Sequence, residues 1–305
     1  MKKDYPVVAA QCAGLRAIEA DGSLFIETNF AGRSEAIDFL DFHIIDRIDG
    51  LLAEDGHRGD GQRGELELIR ERAERFKAGL ERIDTGLFER VREEIAAGVR
   101  PGSFEGMIRG LLDHATPANE QGYDVLDTFV NGLFSDRPLP TETKPLMAEM
   151  VSFHKTPVRV VIELIRLAEL DSDDVFVDIG SGLGQVVLLV NLISGARARG
   201  IEYDPAFCAY ASAIASRLRL TDTEFINADA READYSKGTV FFLYTPFEGR
   251  LLQDVLRLLR TASRGRMIRI FTYGPCSAKV AAEDWLCCRN GIPGDPYQLY
   301  LFVSG

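Results

Sequence analysis

The chain has 305 residues, 46% of them apolar and 27% charged, with a formal net charge of −12. That length suits two domains and allows a sizeable core without crosslinks, and no stretch approaches the ~18 uninterrupted apolar residues of a membrane helix. The acidity belongs to residues 1–150, with 18 Lys and Arg against 29 Asp and Glu, whereas residues 151–305 have 17 against 18; a phosphate backbone is bound by Lys and Arg, so the first half is a poor nucleic-acid platform.

The start, Met1-Lys2-Lys3-Asp4-Tyr5-Pro6, has no apolar run behind its lysines and does not read as a secretory signal. A cytoplasmic location is expected. The five cysteines (12, 208, 276, 287 and 288) are odd in number and lack C-x-x-C pairs. With four dispersed histidines they predict no metal centre. Cys287-Cys288 reads as part of a buried strand.

Ser34 is a plausible N-cap, and Ile37, Leu40, Ile44, Ile48 and Leu51 repeat at helical spacing behind it. Residues 55–64 hold four glycines and several charges and read as a loop or insert. Leu66, Ile69, Ala73, Phe76, Leu80 and Ile83 mark a second helix rich in Glu–Arg pairs, and Leu87, Val91 and Ile95 a third, stopped near Gly98 and Pro101. Two more follow, around Met107 to Leu112 and Val125 to Leu133. Residues 1–137 are therefore expected to form an α-helical domain or cap. The second domain, 138–305, opens on lead-in helices at 143–152 and 157–169.

Beyond Asp171 strand and helix alternate. Strands are expected at 175–179, 198–203, 224–228, 239–244, 267–273, 285–289 and 298–303, with helices at 183–194, 205–218, 248–262 and 277–283. The fold class is α/β: a doubly wound, seven-strand, mostly parallel sheet. The link Asn290 to Pro296 is too short and turn-rich for a helix, so the last strand should run antiparallel.

Candidate chemistry sits on the strand tips. The run Val175-Phe176-Val177-Asp178-Ile179-Gly180-Ser181-Gly182-Leu183-Gly184-Gln185 carries a strand into a glycine turn and an apolar helix. Such a turn lets the backbone approach a ligand, and the helix start offers free N–H groups. The next strand ends at Glu202, placed to accept from the ribose hydroxyls of an adenosine. The third ends in Asn227-Ala228-Asp229-Ala230, where Asp229 can accept from an adenine amine and the Ala230 N–H can donate to the ring. A dinucleotide fingerprint needs G-x-G-x-x-G, and here the third glycine comes one residue early. Asp178 would also repel a pyrophosphate, but it suits an ammonium and a sulfonium. These residues favour S-adenosylmethionine. Each acid also has a plain alternative as a turn residue.

Asp178 through Gln185, with the downstream acid and the closing hairpin, resembles the first motif of class I S-adenosylmethionine-dependent methyltransferases. Phe176 through Leu189 resembles more narrowly the histone-lysine methyltransferases of the disruptor-of-telomeric-silencing type, whose turn also reads Gly-Ser-Gly-x-Gly-Gln-Val-Val; an upstream Thr before a helix matches Thr156. The resemblance implies Asp178, Gly180, Gly182 and Gln185 near the methionine part, with Ser181 and Gly184 in the same turn. It puts Glu202 at the ribose, Asp229 at the adenine, and Thr156 closing the pocket. At the fourth strand those enzymes show paired asparagines, where this chain has Tyr244-Thr245-Pro246-Phe247. Tyr244 and Thr245 are candidates for the acceptor pocket, and His154 or Tyr244 for a base where one is needed.

The function expected is methyl transfer, to a protein side chain before a small molecule and RNA last, with no membrane partner. The alternatives are a non-catalytic cofactor-binding module working through its helical domain and, further off, an NAD-dependent oxidoreductase.

Overall fold

Helix α1 (Tyr5–Glu19) is followed by a 3-10 turn (Gly22–Phe25) and by α2 (Phe30–Asp38), whose N-cap is Asn29 rather than Ser34. The Asn29 side chain accepts from the Gly32 N–H at 3.2 Å, which leaves Ser34 inside the helix. A π-helical stretch (Phe39–Ile45) joins α2 to α3 (Asp46–Ala53). The computed structural model describes residues 5–53, 60–98, 102–115, 122–135 and 137–305. Two compact units emerge: one extends to residue 92 with 109–114, the other comprises 93–108 with 115–305.

The two helices expected around 66–95 are one, α4 (Asp60–Ala96), which also takes in residues 60–64 of the expected loop; part of that loop lies outside the described residues. Three interior glycines cost about 1 kcal/mol each relative to alanine. The stripe Leu66, Ile69, Ala73, Leu80, Leu87 and Val91 is buried, and each leucine, isoleucine or valine in it returns about 1.5–3 kcal/mol. Ion pairs one turn apart, such as Arg70–Glu74 at 3.1 Å, add a few tenths each. Burial wins, and the helix runs on.

The first unit's core gathers Leu15, Leu24, Leu40, Ile44, Ile48, Leu66, Ala73 and Leu80. Inside it Arg33 is fully buried. Its Nε donates to Asp84 at 2.6 Å, and its other nitrogens donate to the carbonyls of Leu24, Ile26 and Glu27. Burial pushes the Asp84 carboxyl up and Arg33 pulls it back. Asp84→Ala strands a buried guanidinium and should cost about 3 kcal/mol. A thermal melt checks this; an unchanged midpoint would refute the pairing.

Helices α5 (Gly102–Leu112) and α6 (Val125–Phe134) follow. Asp124 starts α6 with a capping box: its side chain accepts from the Leu126 N–H, and Asp127 reaches back to the Asp124 N–H. The sequence boundary at 137/138 puts α6 with the first domain, but in space α6 belongs to the second unit.

That second unit holds α7 (Val158–Ala168) and then the alternating strands and helices. In chain order these are β1 (Val175–Ile179), α8 (Gln185–Ser194), β2 (Arg197–Glu202), α9 (Pro205–Arg217), β3 (Thr223–Asn227), β4 (Val240–Tyr244), α10 (Gly249–Ala262), β5 (Arg269–Tyr273), α11 (Cys276–Val280), β6 (Leu286–Cys288) and β7 (Tyr300–Ser304). The sheet order is β3-β2-β1-β4-β5-β7-β6, with β7 antiparallel to both neighbours. The seven-strand sheet and its antiparallel last strand are as expected. Cys287 and Cys288 correct one detail, since β6 is an edge strand and Cys287 is exposed.

Val175, Val177 and Ile179 of β1 face the core shared with α10, so Phe176 and Asp178 point to the opposite face. Chain order reverses between β1 and β4, and a doubly wound sheet opens its ligand crevice at the strand tips there.

The lead-in helix expected at 143–152 does not form. Asp204 takes the N–H groups of Thr143 and Lys144 at 2.5 and 2.8 Å, the Val151 N–H donates to the Pro246 carbonyl, and Met150 bridges Phe247. With its amides captured by the sheet's loops, and Pro145 within it, the segment stays extended. It becomes a strap across the strand tips, tied also by Glu149, whose carboxylate accepts from the Arg250 and Leu251 N–H groups that start α10.

Candidate active site

The strap and the tips of β1, β2, β4 and β5 enclose a cavity of about 350 Å³. Glycine builds its floor. Gly182 has φ +52, and a Cβ there would lie 2.2 Å from the Phe153 ring. Gly184 has φ +81, and a Cβ there would meet Phe225 at 2.6 Å and Ala211 at 2.7 Å. Gly182 lines the cavity; Gly184 does not, and its need for glycine comes from packing. The turn is held by the Ile201 carbonyl, which accepts from both the Gly180 and Ser181 N–H groups.

Glu202, 9% exposed, spends its carboxylate on backbone: Oε2 accepts from the Gly182 N–H and Oε1 from the Asp204 N–H, each at 2.7 Å. It ties the tip of β2 to the glycine turn. A carboxylate has about four acceptor sites, so it keeps capacity for a ligand on the cavity side. Burial raises its pKa. Asp178, 4% exposed, also lines the cavity. Burial first and the Glu202 charge second push it up to about 8. Two acids held this way favour a cation.

Ser181 adds a hydroxyl that is buried, lines the cavity and has no hydrogen-bond partner. A polar atom left open in a wall costs about 1–3 kcal/mol unless a ligand satisfies it. An ammonium and sulfonium with adenosine hydroxyls fit this donor set; a pyrophosphate facing Asp178 and Glu202 does not.

Thr156 and Gln185 come together, the Gln185 amide donating to the Thr156 carbonyl at 3.1 Å, and both line the cavity. Ala228 and Ala230 line its far end, but Asp229 does not. The Asp229 carboxylate is taken by Arg231 at 2.6 and 3.0 Å, which also lowers its pKa.

At the other end stand Tyr244, Thr245, Pro246 and Phe247. Thr245 has φ +41; its Oγ1 donates to the Tyr273 carbonyl and accepts from the Cys276 N–H, each at 3.2 Å. These bonds hold a backbone conformation that a threonine rarely adopts. The Tyr244 ring lies 4.9 Å from that of Tyr273, and burial lifts its phenol to about 12. The exposed His154 reaches the cavity edge with Nδ1 2.8 Å from the Ser152 carbonyl. Nδ1 must then carry the hydrogen, so neutral His154 keeps Nε2 as an acceptor.

Several lining residues had no role in the sequence reading. Phe153 and Phe207 meet edge to face at 5.4 Å, and the Lys144 ammonium lies 4.4 Å from the centre of the Tyr203 ring. Asp204 is the pivot: it caps α9 through the Ala206 and Phe207 N–H groups and grips Thr143 and Lys144. These backbone donors hold it at about 2. Asp204-Pro205 is legible as a helix start; a grip on residues some 60 positions earlier is not. Asp204→Ala should cost ~1–2 kcal/mol for the cap alone. It should also speed amide hydrogen exchange at 143–151; unchanged exchange there would refute the tie.

A family model described as histone methylation protein DOT1 matches residues 152–269. No match emerges among curated proteins. Among solved structures, an RNA methyltransferase from Salinibacter ruber in complex with S-adenosyl-L-homocysteine is 29% identical over 50% of this chain and 92% of that one, with a TM-score of 0.39. Precorrin-6y C5,15-methyltransferase from Geobacter metallireducens is 16% identical over 51% and 92%, also at 0.39. TrmN from Thermus thermophilus is 20% identical over 47% of each chain, at 0.38. At these scores the likenesses do not bear on the substrate.

Proposed function

We propose that this chain, an S-adenosylmethionine-dependent methyltransferase with the class I fold, methylates a side-chain nitrogen on a protein. One observation carries the reading: a single cavity runs from the paired acids Asp178 and Glu202 to the tips of β4 and β5 at Tyr244, Thr245 and Pro275. Cofactor and acceptor then share one enclosure. The match to a histone methylation family over 152–269 supports a protein acceptor, and the charge of −12 disfavours RNA. Tyr244 and Thr245 in place of paired asparagines set the acceptor end apart from that family.

S-adenosylmethionine supplies a methyl group already activated on a sulfonium, so the protein's work is largely proximity and alignment. On this reading Asp178 and Glu202 orient the cation, while Gly182 and Ser181 meet it from the turn. Phe153, Phe207 and Phe247 exclude water. Thr245, held by Tyr273 and Cys276, positions the acceptor end, and His154 Nε2 takes a proton from an arriving ammonium.

The test is label transfer from S-adenosylmethionine carrying a tritiated methyl, with core histones, polylysine, total RNA and spermidine as separate acceptors. Label should enter protein and survive acid hydrolysis as a methylated amino acid. Label found solely in RNA or spermidine would overturn the proposal.

A further inference from the structure

Lys144 is a strap residue whose side chain turns inward. Its neighbours Thr143 and Pro145 are exposed, whereas Lys144 is half-buried and lines the cavity together with Tyr203. Its ammonium lies 4.4 Å from the centre of the Tyr203 ring and donates to the Tyr203 carbonyl at 3.2 Å. That carbonyl also accepts from the Asn227 side chain at 2.9 Å, and the same Asn227 nitrogen donates to the Glu202 carbonyl at 2.9 Å. The Ala228 N–H reaches the Glu202 carbonyl as well, at 3.0 Å. These bonds place the ammonium where the tips of β2 and β3 meet, one residue past Glu202, at the end of the cavity lined by Ala228 and Ala230.

We infer that Lys144 is a cofactor-binding residue: its ammonium, seated on Tyr203, donates to lone pairs of the adenosine moiety. An ammonium carries three donors and no acceptor. One is spent on the Tyr203 carbonyl, and among the described residues the Lys144 side chain makes no other hydrogen bond and no ion pair. The Tyr203 ring helps to hold the charge, but a ring and one carbonyl leave two donors open. Asp204 does not call on them. Its carboxylate already accepts from the Thr143 N–H and hydroxyl and from the N–H groups of Lys144, Ala206 and Phe207. The strap is therefore fastened there by main chain, and a fastening role needs no charge on the Lys144 side chain. An adenosine supplies what the ammonium lacks. Its ribose hydroxyls can donate to Glu202, and their oxygens, like the purine nitrogens, keep lone pairs that need a donor. Acid and ammonium on consecutive residues of the β2 tip then act as a complementary pair around the nucleoside.

The inference concerns the cofactor end and stands whichever acceptor is methylated, so its test needs no turnover. The full chain is titrated calorimetrically with S-adenosylhomocysteine and with 5′-methylthioadenosine, which keeps the adenosine and lacks the amino-acid part. Lys144→Met keeps the apolar stem and removes the donors. It should weaken both ligands by the same factor, about fivefold or more. Lys144→Arg, which keeps charge and donors, should stay within about threefold of wild type. Amide exchange at 143–151 in ligand-free Lys144→Met should match wild type, since Asp204 holds the main-chain N–H groups. Weakening of S-adenosylhomocysteine alone would put the ammonium on the amino-acid carboxylate and overturn the inference. Unchanged affinity for both ligands would overturn it too, as would failure of the wild type to bind 5′-methylthioadenosine. Faster exchange at 143–151 accompanying the loss would make Lys144 a fastener of the strap and defeat the inference equally.

Discussion

Glu202→Ala should raise the dissociation constant for S-adenosylhomocysteine at least ~100-fold and lower the melting temperature of the ligand-free protein. The side chain accepts two buried backbone N–H groups, from Gly182 and Asp204. Leaving a buried donor unmet costs about 1–3 kcal/mol each, so the turn should relax before any ligand contact is counted. Loss of the ligand's own partner adds to that. Glu202→Asp keeps the charge but shortens the reach, and should fall between wild type and alanine. Calorimetric titration measures the binding and scanning calorimetry the fold. Wild-type affinity in the alanine variant would remove Glu202 from the site.

The pH dependence of cofactor binding should be set by Asp178. In the free protein burial and the Glu202 charge hold this carboxyl at about 8, against an ordinary value of 3.8. The folded chain therefore keeps a proton that the unfolded chain releases above about pH 4. Its contribution to stability is complete below that value and is lost as pH rises through 8. The melting temperature of the ligand-free protein should accordingly fall between pH 5 and 8, and Asp178→Asn should flatten that slope.

Binding of a cation runs the other way, because the ligand wants the ionised form. The apparent dissociation constant for S-adenosylmethionine should drop about tenfold per pH unit up to 8 and then level off. Titrations in buffers of different ionisation enthalpy should show close to one proton released near pH 6. Asp178→Asn should bind weakly at every pH, with no proton released. A dissociation constant independent of pH from 6 to 8 in the wild type would rule out Asp178 as the titrating group.

The sheet was legible because its signals are local. A parallel strand buried on both faces reads as a short apolar run, and β1, with all five residues buried, is such a run. Turn residues after Cys288 announced the antiparallel return. Helix starts were legible where a cap residue met an apolar period, and the start of α2 was missed because Asn29, five residues ahead of Ser34, takes the cap. The loop expected over residues 55–64 rested on glycine content, and its residues 60–64 are helical instead. Glycine's cost is small and fixed, and the burial that outweighs it along α4 depends on which neighbours arrive.

By itself the sequence determined the seven-strand α/β unit, the glycine turn at the tip of β1 and the carboxylates at 178 and 202, since periodicity and strand-end spacing are properties of consecutive residues. Tertiary structure alone decided that residues 143–152 form a strap instead of a helix, because their N–H groups are claimed by Asp204 and by the Pro246 loop. It also tied Glu149 to the N–H groups that start α10, about a hundred positions further along the chain. Hydrogen-bond partners and neighbouring charges that distant in sequence leave no periodic trace, and they become defined only when the sheet sets the strand tips side by side.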